Sequence, residues 1–220
     1  MGKLQPTKPL LIMLYGMPGS GKTFFARQLC DQVAAAHVQG DRIRDELFES
    51  PTYSKDENHI VASLMVYMTS EFLQAGISVV FDTNAMRMSQ RRALRNLAIK
   101  AGAHPILLWL QIDPDSAFNR SCKRDRRKHD DRYAQEMDLT TFRDLLGGMQ
   151  NPEITENYLV LSGKHVFNTQ KNAVMRYLVE KRLVVLDSAS SQLGKPGLVN
   201  IVPNPAAGRV DLSRRNISIH

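Results

Sequence analysis

Eight consecutive residues carry the plainest chemistry in the chain: Gly16-Met17-Pro18-Gly19-Ser20-Gly21-Lys22-Thr23. Glycines at this G-x-x-x-x-G-K-[ST] spacing let the main chain approach a ligand closely and point successive N–H groups into one concavity. A helix starting at Lys22 would add unpaired N–H groups and its positive dipole end, which together make a cradle for phosphate. Lys22 would reach the β- and γ-phosphates of a bound triphosphate, and the Thr23 hydroxyl would ligate magnesium. A nucleoside triphosphate with Mg2+ is therefore the expected ligand. The loop does not say what becomes of the γ-phosphate.

Three further groups bear on that question. Asp41 and Asp82 each follow a short extended run, His37 to Gln39 and Val79 to Phe81, so both should sit at the carboxyl edge of a sheet. A carboxylate there can accept the proton of an attacking hydroxyl or help hold magnesium. Arg44 follows Asp41 by three positions and would face the same side of a short helix, where a guanidinium can grip an acceptor's phosphate. The alternative is that Asp41 only caps that helix and Arg44 is merely exposed. Arg120 and Arg124 lie four apart in a basic segment that continues through Arg126, Arg127 and Lys128. Such arginines could close over a triphosphate as a lid and exclude water, or bind a nucleic-acid backbone.

The elements that must position these groups read in order. Leu10 to Tyr15 (LLIMLY) is a continuous apolar run ending at a glycine, as expected of a central parallel strand covered on both faces. A helix is expected from Lys22 to about Ala35, burying Phe24, Phe25, Leu29 and Val33, then a short helix from Arg42 to Phe48. Asp56 to Ala75 should be a long helix with Ile60, Leu64, Met68 and Leu73 among its apolar positions. Strands at 77–81 and 105–110 flank a helix from Ser89 to Ala101, with Ser89 its cap. Pro114 suits the first position of the next helix. Helices at 136–146 and 169–181, and extended runs at 158–161 and 183–186, complete the reading. Alternating strands and helices of this kind make a parallel α/β domain. From Ser188 onward Gly and Pro punctuate the chain, and this extension could pack on its own core, stay partly ordered or fold onto another subunit as a homo-oligomer.

Composition sets looser bounds. The 220 residues suffice for one well-buried core, and 43% hydrophobic with 23% charged residues is ordinary for a soluble domain. The formal net charge of +7 favours polyanionic partners without naming one. Cys30 and Cys122 stand alone, with no metal-binding spacing, and fit a reducing cytoplasm. Lys3 and Lys8 before Leu10 to Leu14 imitate a leader peptide, but the apolar run is short and passes straight into the glycine loop. No segment approaches the length needed to span a bilayer, so no membrane partner is expected.

Taken in order, GMPGSGKT at 16–23, DRIR at 41–44, DTNAMRMSQRR at 82–92 and RSCKR at 120–124 resemble the polynucleotide-kinase-like group of P-loop kinases. The resemblance covers roughly residues 10–130. It implies a three-layer P-loop kinase fold with a central parallel sheet and a helical lid near 115–135; with the Gly/Pro punctuation from Ser188, the kinase domain is expected to span 1–187 and a C-terminal extension 188–220. It also implies roles: Asp41 as general base, Arg44 on acceptor phosphate, Asp82 near the metal, and Arg120 with Arg124 as the lid pair, Arg124 contacting the triphosphate. The expected activity is ATP-dependent phosphorylation of a hydroxyl, foremost the 5′-hydroxyl of RNA or DNA. Alternatives are a small-molecule kinase for a nucleoside, nucleotide sugar or antibiotic, and a nucleotide-dependent RNA- or protein-binding module with little turnover. No N-K-x-D run suggests guanine reading. The stretch SGKHVFNTQ at 162–170 carries no role from the resemblance.

Overall fold

The computed structural model describes residues 3–83, 87–124, 132–135 and 137–184. The basic run at 125–131 and the extension at 188–220 lie outside the described residues, as does the expected domain limit at 187.

Among the described residues five parallel strands form one sheet: β1 (Leu10–Tyr15), β2 (Ala35–Gln39), β3 (Ser78–Asp82), β4 (His104–Gln111) and β5 (Tyr158–Ser162), in the order β2-β3-β1-β4-β5. Among the described residues seven α-helices connect or flank them: α1 (Lys22–Gln32), α2 (Gly40–Leu47), α3 (Lys55–Gln74), α4 (Met88–Lys100), α5 (Pro114–Cys122), α6 (Leu139–Gly147) and α7 (Phe167–Glu180). This is the expected three-layer P-loop kinase fold.

The pleat of β1 explains the layers. Leu10, Ile12 and Leu14 point to one face and pack with Phe25 and Leu29 of α1 and Val174 and Leu178 of α7. Leu11, Met13 and Tyr15 point to the other, against Val61 and Met65 of α3 and Leu94 of α4. All six β1 residues are buried, as continuous apolar runs in parallel sheets must be. Each large aliphatic side chain removed from water in this way contributes about 1.5–3 kcal/mol.

Several boundaries differ from expectation. The first helix stops at Gln32, because Val33 turns extended and bridges Leu4 while Ala34 N–H donates to Leu4 O. Phe24 is not core: it stands 43% exposed. Ile60 is likewise on the outside of α3, whose buried stripe is Glu57, Val61, Met65, Thr69 and Leu73. The fourth helix begins at Met88 with Arg87, not Ser89, at its cap, where the Gln90 side chain accepts from Arg87 N–H. The sixth begins at Leu139, capped by the Asp138 carboxylate on Thr141 N–H, three residues later than the sequence suggests. Both cysteines are free thiols, Cys30 buried and Cys122 exposed. Among the described residues no helix is long and apolar enough to cross a membrane.

One buried ion pair fastens the layers. Arg91 of α4, fully buried, donates from Nε and Nη2 to the Glu156 carboxylate at 2.8 and 2.7 Å and lies over the Tyr15 ring. It therefore ties α4 to the segment that enters β5.

Candidate functional site

Strand order brings the candidate groups to one edge. Asp82, the last residue of β3, is in register with Leu14 of β1 on one side and Gln39 of β2 on the other. Gly16 follows β1 and Asp41 follows β2, so the glycine loop, Asp41 and Asp82 converge where parallel strands end.

The glycine loop is sterically fixed. At Gly19, φ is +79° and an added Cβ would stand 2.1 Å from Ala117 O, so only glycine fits. Gly16, Met17 and Pro18 form the back of the loop. The carbonyls of Gly16 and Met17 accept from Lys22 Nζ at 2.8 and 2.9 Å, while Gly19 to Thr23 line the cavity in front. Burial pushes the Lys22 ammonium down to about 8, with the Asp82 carboxylate opposing.

Two cavities meet here. The first, of about 630 Å³, lies over the glycine loop and is walled by Arg120, Lys123 and Arg124 on one side and by Gly163 to Val166 on the other. The second, of about 530 Å³, lies beneath α3 and α6 and takes in Arg44, Tyr53, Asp82, Arg87 and Asp144. Thr23, Gln39 and Asp41 line both.

Asp41 sits in the first turn of α2 rather than at its cap: Gln39 holds the cap position and no side-chain cap bond is made. Burial, and next the nearby Asp82 carboxylate, push its carboxyl up to about 6, against the pull of Arg124, Lys22 and Arg44. Asp82 is buried and its Oδ2 lies 3.1 Å from His37 Nε2. Arg44 is buried too. It donates to Glu57 Oε2 at 3.0 Å and to Asn58 Oδ1 at 2.5 Å, and stacks on Tyr53 with its guanidinium carbon 4.6 Å from the ring centre.

The two arginines expected to form a lid both line the first cavity but make different contacts: Arg124 reaches Gln135 O at 3.5 Å, and Arg120 donates from Nη1 to Gly163 O at 2.8 Å. Gly163 was the unassigned part of the sequence. Its N–H donates to Gln111 O at 2.7 Å, and an added Cβ would meet Ser20 O at 2.7 Å, so the β5–α7 turn lies directly against the phosphate loop. Lys164 Nζ pairs with Asp113, the cap of α5, at 2.6 Å. Sequence reasoning missed this turn and the exposed Phe24 beside it. The available signal was a glycine straight after a strand, at the sheet edge where ligands collect.

Among the described residues no three His, Cys, Asp or Glu side chains gather as a metal cluster. Thr23 and Asp82 supply one hydroxyl and one carboxylate at the second cavity. That sparse oxygen set fits magnesium, which keeps several waters and relies on substrate phosphates.

Residues 11–152 match the model of a protein family described as AAA domain. The fold is also that of solved kinases. A sugar kinase from a Janibacter species is 16% identical, with TM-score 0.56, over 80% of this chain and 95% of that one. A gluconokinase from Sinorhizobium meliloti is 16% identical, with TM-score 0.55, over 79% and 93%. The APS kinase of Mycobacterium tuberculosis, in complex with AMPPNP and APS, is 18% identical, with TM-score 0.57, over 79% and 99%. At such identities the likeness is one of fold. No curated protein matches the sequence.

Proposed function

The chain belongs to the AAA domain family, and we propose that it is an ATP-dependent kinase that moves the γ-phosphoryl group to a hydroxyl. The observation that carries this reading is the shared wall: Thr23, Gln39 and Asp41 belong at once to the cavity over the phosphate loop and to the one beside it. A hydrolase needs room for water only, whereas a second cavity opening on the same carboxylate suits a second substrate.

In this reading the triphosphate lies on Gly19 to Thr23. Lys22 leaves the loop carbonyls for the phosphate oxygens, and Arg124 neutralises charge that develops on the transferring group. The acceptor hydroxyl oxygen forms a bond to the γ-phosphorus as the bond to the β-phosphate bridging oxygen breaks; ADP leaves, and the hydroxyl proton passes to Asp41. A carboxylate whose pKa has risen to about 6 is ionised at neutral pH and still a competent base. Thr23 and Asp82 would hold magnesium, which would supply charge neutralisation on the phosphates. Arg120, bound to the Gly163 carbonyl, would shape the nucleotide side through that turn.

Two acceptor classes remain. The DTN and R-x-x-x-R elements favour the 5′-hydroxyl of a polynucleotide, and the cavity beneath α3 and α6 favours a small molecule. Incubation with labelled ATP, magnesium and a panel of both classes tests the reading. Label on an acceptor, abolished by Lys22→Ala and by Asp41→Asn, is the expected result. Full turnover by Asp41→Asn would remove the assigned base.

A further inference from the structure

We propose that the acceptor cavity is built for an uncharged or cationic polyhydroxylated small molecule, of sugar, nucleoside or amino-sugar type, and excludes phosphate-bearing acceptors such as polynucleotide ends. This rests on the kinase reading above and concerns only what receives the phosphoryl group.

The two cavities differ in charge across their common wall. Among the described residues, five cationic side chains, Lys22, Arg120, Lys123, Arg124 and Lys164, line the nucleotide side against the single carboxylate of Asp41. That is the field a triphosphate needs. Among the described residues the acceptor side has the reverse balance: Asp41, Asp82 and Asp144 against Arg44 and Arg87.

Arg44, moreover, is already engaged. One terminal nitrogen is paired with Glu57, the other is bonded to Asn58, and the guanidinium lies over Tyr53. The residue is only 7% exposed, and its Nε is sealed from solvent without a hydrogen-bond partner, so it cannot reach into the cavity. Glu57 cannot release it cheaply. Its carboxylate also accepts from the Thr52 hydroxyl and from the N–H groups of Thr52 and Tyr53. These bonds, the Thr52 hydroxyl first, hold it down to about 2, so it stays ionised at any working pH. Tyr53 is kept in a left-handed backbone conformation, φ 56°, between that N–H and the Asn58 amide, which donates to Tyr53 O. Glu57, Arg44, Asn58 and Tyr53 thus form one rigid wall that is internally charge-balanced. Arg87 alone among the described cations of this cavity is exposed.

With Asp82 buried against His37 as Arg44 is against Glu57, a phosphate entering here would face the carboxylates of Asp41 and Asp144 with one accessible arginine. Like-charge juxtaposition of that kind discriminates strongly against the wrong partner. The remaining polar lining, including Gln90, Gln135 and Thr141, offers paired donors and acceptors, the chemistry that reads hydroxyls. A volume of about 530 Å³ is also of small-molecule size.

The full chain, with labelled ATP and magnesium, would be given adenosine, adenosine 3′-monophosphate, a hexose, an aminoglycoside and a 5′-hydroxyl oligonucleotide. Label should enter neutral or cationic acceptors, with the nucleoside preferred over its 3′-monophosphate by roughly tenfold or more in kcat/KM. Preference for the oligonucleotide or the monophosphate overturns this proposal and leaves the kinase reading intact. No label on any acceptor, with ATP binding retained, overturns both. Glu57→Gln keeps an oxygen for Thr52 and Tyr53 while removing the charge that balances Arg44, so the preference against the monophosphate should shrink several-fold. If that variant melts early, exposed Asp144→Asn provides the same comparison. Unchanged selectivity in a folded variant of either kind counts against the charge argument.

Discussion

Replacing Asp41 by asparagine should abolish transfer and at the same time stabilise the folded protein above neutral pH. The carboxyl is raised from 3.8 to about 6 by burial and by Asp82. Two or so units correspond to about 3 kcal/mol of preference for the neutral form in the folded chain. Its place in the first turn of α2 works against this, because the helix dipole favours a carboxylate there by about 0.3–1 kcal/mol. A net cost of roughly 2 kcal/mol is therefore expected when Asp41 is ionised. Below 3.8 the group is protonated in folded and unfolded chains alike. Between 3.8 and about 6 only the folded chain keeps the proton, so stability falls as pH rises through that window and stays reduced above it. Asparagine removes the term. Without nucleotide, Asp41→Asn should melt roughly 4–8 °C above the parent at pH 8 and only about half as far above it at pH 5, read by calorimetry at both pH values. An equal Tm difference at both, or a lower Tm at pH 8, would refute the buried-carboxylate argument. Residual transfer near the parent rate would refute the catalytic one.

Other expectations follow from neighbouring residues. Lys22 must be protonated to hold phosphate and has been pushed down to about 8, so ATP affinity should weaken as pH rises past 8, measurable by calorimetric titration. Gly163→Ala should raise the KM for ATP more than that for acceptor, because its Cβ would displace Ser20 O in the phosphate loop; overpacking of this kind costs about 1–3 kcal/mol. Arg91→Ala leaves Glu156 buried without its partner and should cost about 3–5 kcal/mol in denaturant unfolding, far more than an exposed arginine such as Arg92.

The parts of this molecule that local pattern encodes were legible in its sequence. LLIMLY is too apolar to be anything but a strand covered on both faces, and the glycine loop after it admits few conformations. Asp41 was also readable, because a carboxylate just past a strand has only one edge on which to lie. What failed was whatever depends on distant packing. Nothing local distinguishes Phe24 from Phe25, yet one opens on solvent and the other is fully buried against α7. Gly163 acquires its meaning only when β5 pairs with β4 and sets it against Ser20. The neutralisation of Arg44 depends on Glu57, thirteen residues away in the next helix, as well as on the turn that carries Tyr53. The charge character of the second cavity was thus hidden although each residue was in view.

The claim at the centre of this account is that Asp41 joins a donor cavity to an acceptor cavity. A single-turnover reaction with γ-labelled ATP, magnesium and the acceptor panel, following both label on acceptor and label released as inorganic phosphate, measures that most directly. The account predicts acceptor labelling that matches ADP formed and is lost in Asp41→Asn while that variant still binds ATP. Label appearing only as inorganic phosphate, at a rate indifferent to every acceptor, would contradict it.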